Sequence, residues 1–334
     1  MFKLYLRKVF TRGFYPTKST NWYKNKGYVG DDTQQQFADF LGKQSIEGSR
    51  YFKEFQSLSF TRQHIPSGIY NLDSVLVTPN SDIAKGKPGE GVYFILFQGR
   101  GEYYESRFRD MARQAHETGA NILGFNPKGF HNSTGKIRKL SDLVNDGIAV
   151  IEYLLDKGVD YKNIVLQGNS LGSGVQEMVS EHFRLNHGIS FRQINGNSFK
   201  NLASIVASHY KAPFLESFFG MLLRRSGWEI APGLDFYKTG PYRMYLRRKD
   251  DRTITGGTEF HSMVDHESDY ASSPDGYKET NKWLNERNRI IYTGKRKKDP
   301  HELGLSLFKI DEEEKSSVFV MINKFLEASK DYIE

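Results

Sequence analysis

The chain has 334 residues, 38 % hydrophobic and 26 % charged, which places it among ordinary globular proteins rather than disordered, fibrous or membrane-filling ones. It contains no cysteine, and this excludes disulfides, thiolate metal sites and a thiol nucleophile. The net charge of +7 belongs to residues 1–28, where Lys3, Arg7, Lys8, Arg12, Lys18, Lys24 and Lys26 stand without an Asp or Glu; the neutral remainder lacks the basic stripe that a nucleic-acid surface needs.

Residues 1–50 read as a basic, aromatic arm ahead of a single domain over 51–334. Within the arm, Phe2, Tyr5, Leu6, Val9 and Phe10 fall at helical spacing, with Lys3, Arg7, Lys8 and Arg12 largely opposite, the pattern of a short helix lying on an anionic membrane. An arm packed on the domain, a flexible tail and an organelle-targeting end share this composition and stay open. The arm lacks the apolar run and small-residue cleavage site of a secretory signal, and no apolar run reaches the ~20 residues of a bilayer span. A cytoplasmic or peripheral-membrane location is expected, with export as an effector left open.

From about residue 50 onward, short apolar runs alternate with amphipathic patterns, the form of a mostly parallel sheet covered by helices on both faces. Strands are predicted over 57–62, 72–78, 92–98, 120–126, 163–168, 189–195, 242–248 and 289–293, and helices over 104–117, 140–157, 171–185, 199–209 and 312–329. The segment 140–157 shows the reasoning: Leu140, Leu143, Val144, Ile148, Ile151, Leu154 and Leu155 recur at spacings of three and four and mark one buried face. Two stretches break the alternation. Residues 210–240 combine Phe214, Phe218, Phe219, Trp228 and Phe236 with Pro213, Pro232 and Gly233, as a cap-like insertion would. Residues 252–280 are polar and read as a surface insertion before a short helix near 277–286.

The chemically informative segment is Asn163-Ile164-Val165-Leu166-Gln167-Gly168-Asn169-Ser170-Leu171-Gly172-Ser173-Gly174. As a bare pentapeptide Gly-x-Ser-x-Gly is weak, but here an apolar strand runs into it and an amphipathic helix leaves it, the context of a nucleophile elbow. A serine on so sharp a turn is held in a strained backbone conformation, and the residues two positions either side must be small, as Gly168 and Gly172 are. The competing structural reading is a glycine-rich strand-to-helix turn with an incidental serine.

With this elbow the chain resembles the α/β-hydrolase superfamily, and three more segments carry the likeness. Tyr93 to Gly101, ending Gln98-Gly99-Arg100-Gly101, is similar to the strand and His-Gly-x-x loop that supplies an oxyanion donor, with Gln98 in place of His. Gly124 to Gly135 resembles the Asp-Tyr-Arg-Gly-x-Gly-x-Ser-x-Gly segment, with Asn126 and His131 departing from it at structural positions. Leu140 to Gly147 is similar to the helix start that precedes the elbow strand. The nearest likeness is to the lysophospholipase, acylglycerol-lipase and acyl-peptidase branch, and more loosely to SidB-type secreted bacterial effectors.

The resemblance implies an α/β-hydrolase fold and a serine nucleophile followed in the chain by an acid and then a histidine. Ser170 is then the nucleophile, Asp251 the acid after strand 242–248 with Asp250 as runner-up, and His301 the base after strand 289–293. His261 and His266 precede that last strand and lie in the polar insertion. The backbone N–H groups of Leu171 and Arg100 are the expected oxyanion donors. The implied reaction is hydrolysis of an ester-type acyl bond on a small-molecule or lipid substrate, with no cofactor and no metal. A peptidase or thioesterase on the same site is an alternative, as is a catalytically silent scaffold that binds a partner, for which Gln98 and Asn126 leave room. The leucine and aromatic content of 210–236 would form a greasy wall if that segment capped the site; ordinary helix packing is the competing reading.

Overall fold

The computed structural model describes residues 57–199, 201–230, 242–248, 288–293 and 317–330. Within them the chain runs β1 (Leu58–Ser67), β2 (Tyr70–Pro79), α1 (Ser81–Ala84), β3 (Tyr93–Phe97), α2 (Phe108–Thr118), β4 (Asn121–Phe125), α3 (Leu140–Asp156), β5 (Ile164–Asn169), α4 (Leu171–His187), β6 (Arg192–Gly196), α5 (Leu202–His209), α6 (Glu216–Ser226), β7 (Arg243–Arg248), β8 (Asn288–Thr293) and α7 (Val318–Ala328). The arm, Asp250, Asp251, the polar insertion and His301 lie outside the described residues.

The eight strands form one sheet in the order β1-β2-β4-β3-β5-β6-β7-β8. β1 and β2 make an antiparallel hairpin and β2 is antiparallel to β4, while every neighbouring pair from β4 across to β8 is parallel. Each predicted strand appears, with shifts at the ends. The largest is at β1, which runs on to Ser67 through Gln63, His64 and Pro66. These residues are polar or ring-locked because β1 is an edge strand, where proline is tolerated and one face meets water.

Alternation along the central strands divides the apolar side chains between two faces. Phe94 and Leu96 of β3, Val165 of β5, Ile194 of β6 and Met244 and Leu246 of β7 join the buried faces of α2 and α7 in a first core cluster. Ile95, Phe97, Ile164 and Leu166 point the other way into a second cluster built with α3, α4, Leu202 of α5 and Leu223 of α6. Strands with two buried faces read as continuous apolar runs, which is why 92–98 and 163–168 were legible.

The helices differ from expectation mainly at their starts. The stretch 104–117 opens with a 3-10 turn, Tyr104–Arg107, before α2 begins at Phe108. α5 begins at Leu202 because Asn201 caps it, its side chain accepting the Ser204 N–H at 2.7 Å. α7 likewise starts at Val318 behind the Ser317 cap. Residues 210–230 contain a 3-10 turn at Pro213–Leu215 and α6, after which Trp228 and Ile230 are buried in the second cluster.

The connections set the position of the site. From β3 the chain crosses through α2 to β4 on one side, then through α3 to β5 on the other side of β3. The carboxyl ends of β3 and β5 therefore flank a topological switch point, where open parallel sheets form their ligand crevice. No helix of the described residues is long and apolar enough to cross a membrane.

Candidate active site

Ser170 stands between β5 and α4 with φ 52° and ψ −120°, a conformation that non-glycine residues seldom adopt. Holding it costs on the order of 1–3 kcal/mol, so the surroundings must impose it. They do so from β6: the Gly196 carbonyl accepts the Ser170 N–H at 2.9 Å and the Ser173 hydroxyl at 3.0 Å. The Ser170 carbonyl in turn accepts the Ser173 N–H at 3.0 Å, closing the turn into α4.

Both flanking glycines are required by space. A Cβ on Gly168 would come within 2.5 Å of Gln176 Oε1 and 2.6 Å of Ser173 Cα. One on Gly172 would fall on the carbonyl oxygens of Phe97 and Gln98 at the end of β3. The second contact is the more consequential, because only a bare Cα lets the start of α4 press against the strand whose exit loop carries Arg100. The N–H groups of Leu171 and Gly172 at the start of α4 have no acceptor within the helix, and its positive end lies at the turn of Ser170.

The loop after β3 is shaped by a residue that sequence reasoning passed over. Glu102 Oε2 accepts the Gly99 N–H at 2.9 Å, the Gly99 carbonyl accepts the Glu102 N–H at 3.2 Å, and Arg107 pairs with the Glu102 carboxylate. Arg100 sits exposed at the tip of this turn, followed by Gly101 with φ 70°. The structure thus brings Ser170, Leu171 and Arg100 to the same edge of adjacent strands.

Asp250, Asp251 and His301 lie outside the described residues, and their placement rests on chain order. β7 and β8 run parallel to β5 through β6, so their carboxyl ends share the edge that carries Ser170. Asp251 follows the end of β7 at Arg248 by three residues, and His301 follows the end of β8 at Thr293 by eight.

The two departures noted after β4 have structural causes. Asn126 is fully buried, and its amide donates to both oxygens of the buried Glu105 carboxyl at 2.9 and 3.0 Å. Its own Oδ1 accepts the Tyr104 N–H at 3.2 Å. An aspartate at this position would set two carboxyl groups face to face, so the amide is the partner that Glu105 demands. Burial pushes the Glu105 carboxyl up to about 8 despite these donors. His131 occupies a left-handed position, φ 44°, and its ring packs edge-on against Tyr103 at 4.4 Å between centroids. Burial lowers its pKa to about 4, so the ring is uncharged at neutral pH. No local pattern announces Glu105, because its burial arises from residues 21 positions apart.

A cavity opens at this edge on the α2 side of the sheet, lined by Leu96, Gln98, Met111, Asn169, Ile194 and Leu246 among others. None of the described residues of 210–230 lines it. Phe214 is 81 % exposed and Phe218 49 % exposed, and residues 231–240 of the cap-like stretch lie outside the described residues.

Known proteins share this architecture. The carboxyl esterase 2 of the mycorrhizal fungus Tuber melanosporum superposes with a TM-score of 0.58 at 16 % identity, over 90 % of this chain and 99 % of that one. EstE5, crystallised and soaked with p-nitrophenyl butyrate, gives 0.54 at 10 % identity over 98 % of both chains. The carboxylesterase EstE1 from a metagenomic library gives 0.51 at 13 % identity, over 89 % and 98 %. The chain has the α/β-hydrolase fold. At such identities the likeness speaks for the fold alone. Residues 94–232 match the family described as Chlamydia CHLPS protein (DUF818), a span that holds most of β3, the turn at Ser170 and α6. No curated protein is significantly similar to the chain. Among the described residues no group of His, Asp and Glu has the arrangement of a metal site.

Proposed function

We propose that the protein is a serine hydrolase that cleaves carboxylic-ester bonds through an acyl-enzyme on Ser170. The observation that carries this reading is the enforced conformation of Ser170: a positive-φ serine at a strand exit, pinned by Gly196 and walled by two glycines that tolerate no Cβ. Backbone strain of this kind clusters at active sites, where it holds a reacting group in place.

In this mechanism His301, oriented by Asp251, takes the proton from Ser170 as its oxygen attacks the acyl carbonyl. The Leu171 and Arg100 N–H groups receive the developing oxyanion, each such donor typically contributing about 3 kcal/mol of barrier lowering. His301 then returns the proton to the leaving alcohol and activates the water that releases the acid. The chemistry needs no cofactor. The scaffold alternative loses one of its supports, since Asn126 has a structural partner in Glu105. An alkyl fluorophosphonate tests the reading: it forms a covalent adduct with the wild type at a rate comparable to known serine hydrolases and none with Ser170→Ala, whereas an inert wild type refutes it.

We further propose that residues 1–28 hold the enzyme on anionic membrane, each of several cations contributing on the order of 1 kcal/mol there. Salt-sensitive co-sedimentation with phosphatidylserine vesicles that is lost on deleting residues 1–28 supports this, and sedimentation indifferent to the deletion refutes it.

A further inference from the structure

We propose that a seam of buried polar side chains fixes the register of α4 along β6, and that Asn195, Gln176 and Glu177 act through it as positioning residues for Ser170. The inference rests on the hydrolase reading for its catalytic sense, while the register itself is measurable without turnover. α4 descends from the elbow as β6 rises toward it, and the two are joined at three levels. At the top, the Ser173 hydroxyl donates to the Gly196 carbonyl at 3.0 Å. Below it, the Gln176 amide donates to Asn195 Oδ1 at 2.5 Å, and Asn195 Nδ2 donates to the Glu177 carboxyl. At the foot, the Ser180 hydroxyl and the Gln193 amide meet at 2.6 Å. Arg243 of β7 flanks the seam, its Nε 3.9 Å from Glu177. Ser173, Gln176, Glu177, Ser180, Gln193 and Asn195 are each no more than 1 % exposed.

A helix that covers a parallel sheet ordinarily meets it through apolar side chains, so this seam calls for a reason. The spacing supplies one. From Ser173 to Ser180 a helix rises about 10 Å, and from Gln193 to Gly196 a strand rises about 10 Å, so the three levels match only in one alignment. An apolar contact is non-directional and accommodates small slides, whereas a slide along this seam leaves buried donors and acceptors unpaired. Well-packed apolar residues would stabilise the contact as much; what the polar groups add is a single alignment. That alignment ends on the nucleophile. The Gly196 carbonyl that anchors Ser173 also accepts the Ser170 N–H at 2.9 Å, and Asn195 immediately precedes it. Holding Asn195 against α4 therefore holds the carbonyl that imposes the positive φ of Ser170. Gln176 supports the turn from its other strand, lying so close under Gly168 that a Cβ there would come within 2.5 Å of its Oε1.

The test follows fluorophosphonate labelling of Ser170 in variants of the full chain, under conditions where urea unfolding shows each to be folded. Asn195→Asp removes the donor to Glu177 and sets a second carboxyl against it, and should label about 10- to 100-fold more slowly. The reciprocal variant Asn195→Asp/Glu177→Gln restores a donor and an acceptor across the same contact and should recover most of the rate. Phe183→Leu, in the apolar packing of the same helix, should lose stability yet label as fast as the wild type, which separates alignment from stability. Should Asn195→Asp fail to fold, Gln176→Met reads the same level without adding a charge and should be slowed about 10-fold. A folded Asn195→Asp or Gln176→Met that labels at the wild-type rate, a reciprocal variant that recovers nothing, or equal slowing in Phe183→Leu overturns the proposal. If the wild type itself is inert, the hydrolase reading fails, and amide hydrogen exchange of the peptide spanning 168–174 decides the register alone. Faster exchange in Asn195→Asp that the reciprocal variant reverses supports the seam, and unchanged exchange overturns it.

Discussion

Replacing Gly172 by alanine tests whether the elbow is held by close packing of α4 against β3. The added Cβ falls on the Phe97 and Gln98 carbonyl oxygens, which are backbone atoms anchored in the sheet and unable to swing aside. Relief requires the first turn of α4 to move away from β3. Overpacking of this sort costs about 1–3 kcal/mol, the upper end applying where the obstacle is backbone. The same movement displaces the Leu171 N–H relative to the loop of Arg100, and a shift near 1 Å at a reacting centre lowers rate by about 100-fold. Gly220→Ala in α6 is the control, because its Cβ would meet nothing closer than Ala203 at 3.7 Å. That substitution should stabilise by about 0.5–1 kcal/mol through helix propensity alone. Urea unfolding and the rate of fluorophosphonate labelling read both variants. A Gly172→Ala protein as stable as the wild type and labelled as fast would refute the packing account.

Three further outcomes follow from the interior around the site. Asn126→Asp removes both donors to Glu105 and adds a second buried carboxyl, so it should destabilise by about 3 kcal/mol or more in denaturant unfolding, with much of the loss recovered in the double variant Asn126→Asp/Glu105→Gln. Because the folded Glu105 carboxyl keeps its proton up to about 8 while the unfolded chain releases it near the usual 4.3, the folded state binds the extra proton between these values. Stability attributable to Glu105 should therefore fall as pH rises through that window and level off above it, and the difference between wild type and Glu105→Gln should show this slope; a pH-independent difference contradicts it. If Asp251 orients His301 as proposed, Asp251→Asn should lower the labelling rate far more than Asp250→Asn, with unfolding unchanged in both, and the opposite ranking moves the proposed role to Asp250.

The sheet and the strained strand-to-helix turn at Ser170 were legible in the sequence because both depend on short-range pattern. Central strands buried on two faces are apolar runs, and the elbow needs small residues two positions either side of Ser170. β1 was legible only in its first half, since an edge strand with a solvated face carries Gln63, His64 and Pro66 in place of an apolar run. The start of α5 was obscured by Phe199, whose burial in the second cluster mimics a helical position while Asn201 supplies the real cap. Composition showed that 210–226 is greasy but not which way it faces, and the structure turns Phe214 and Phe218 outward. The pairing of Glu105 with Asn126 and the brace of Glu102 on Gly99 were not legible. Each arises when loops after different strands meet, and no period along the chain records that meeting.

An activated Ser170 reacts covalently with a phosphonylating agent faster than any other serine of the chain. Peptide mapping of the protein after brief exposure to an alkyl fluorophosphonate tests this most directly. The expected result is a single phosphonyl adduct on the peptide containing Ser170, absent in Ser170→Ala and slowed by at least about 1,000-fold in His301→Gln. An adduct on another residue, no adduct at all, or a rate indifferent to His301→Gln would contradict it.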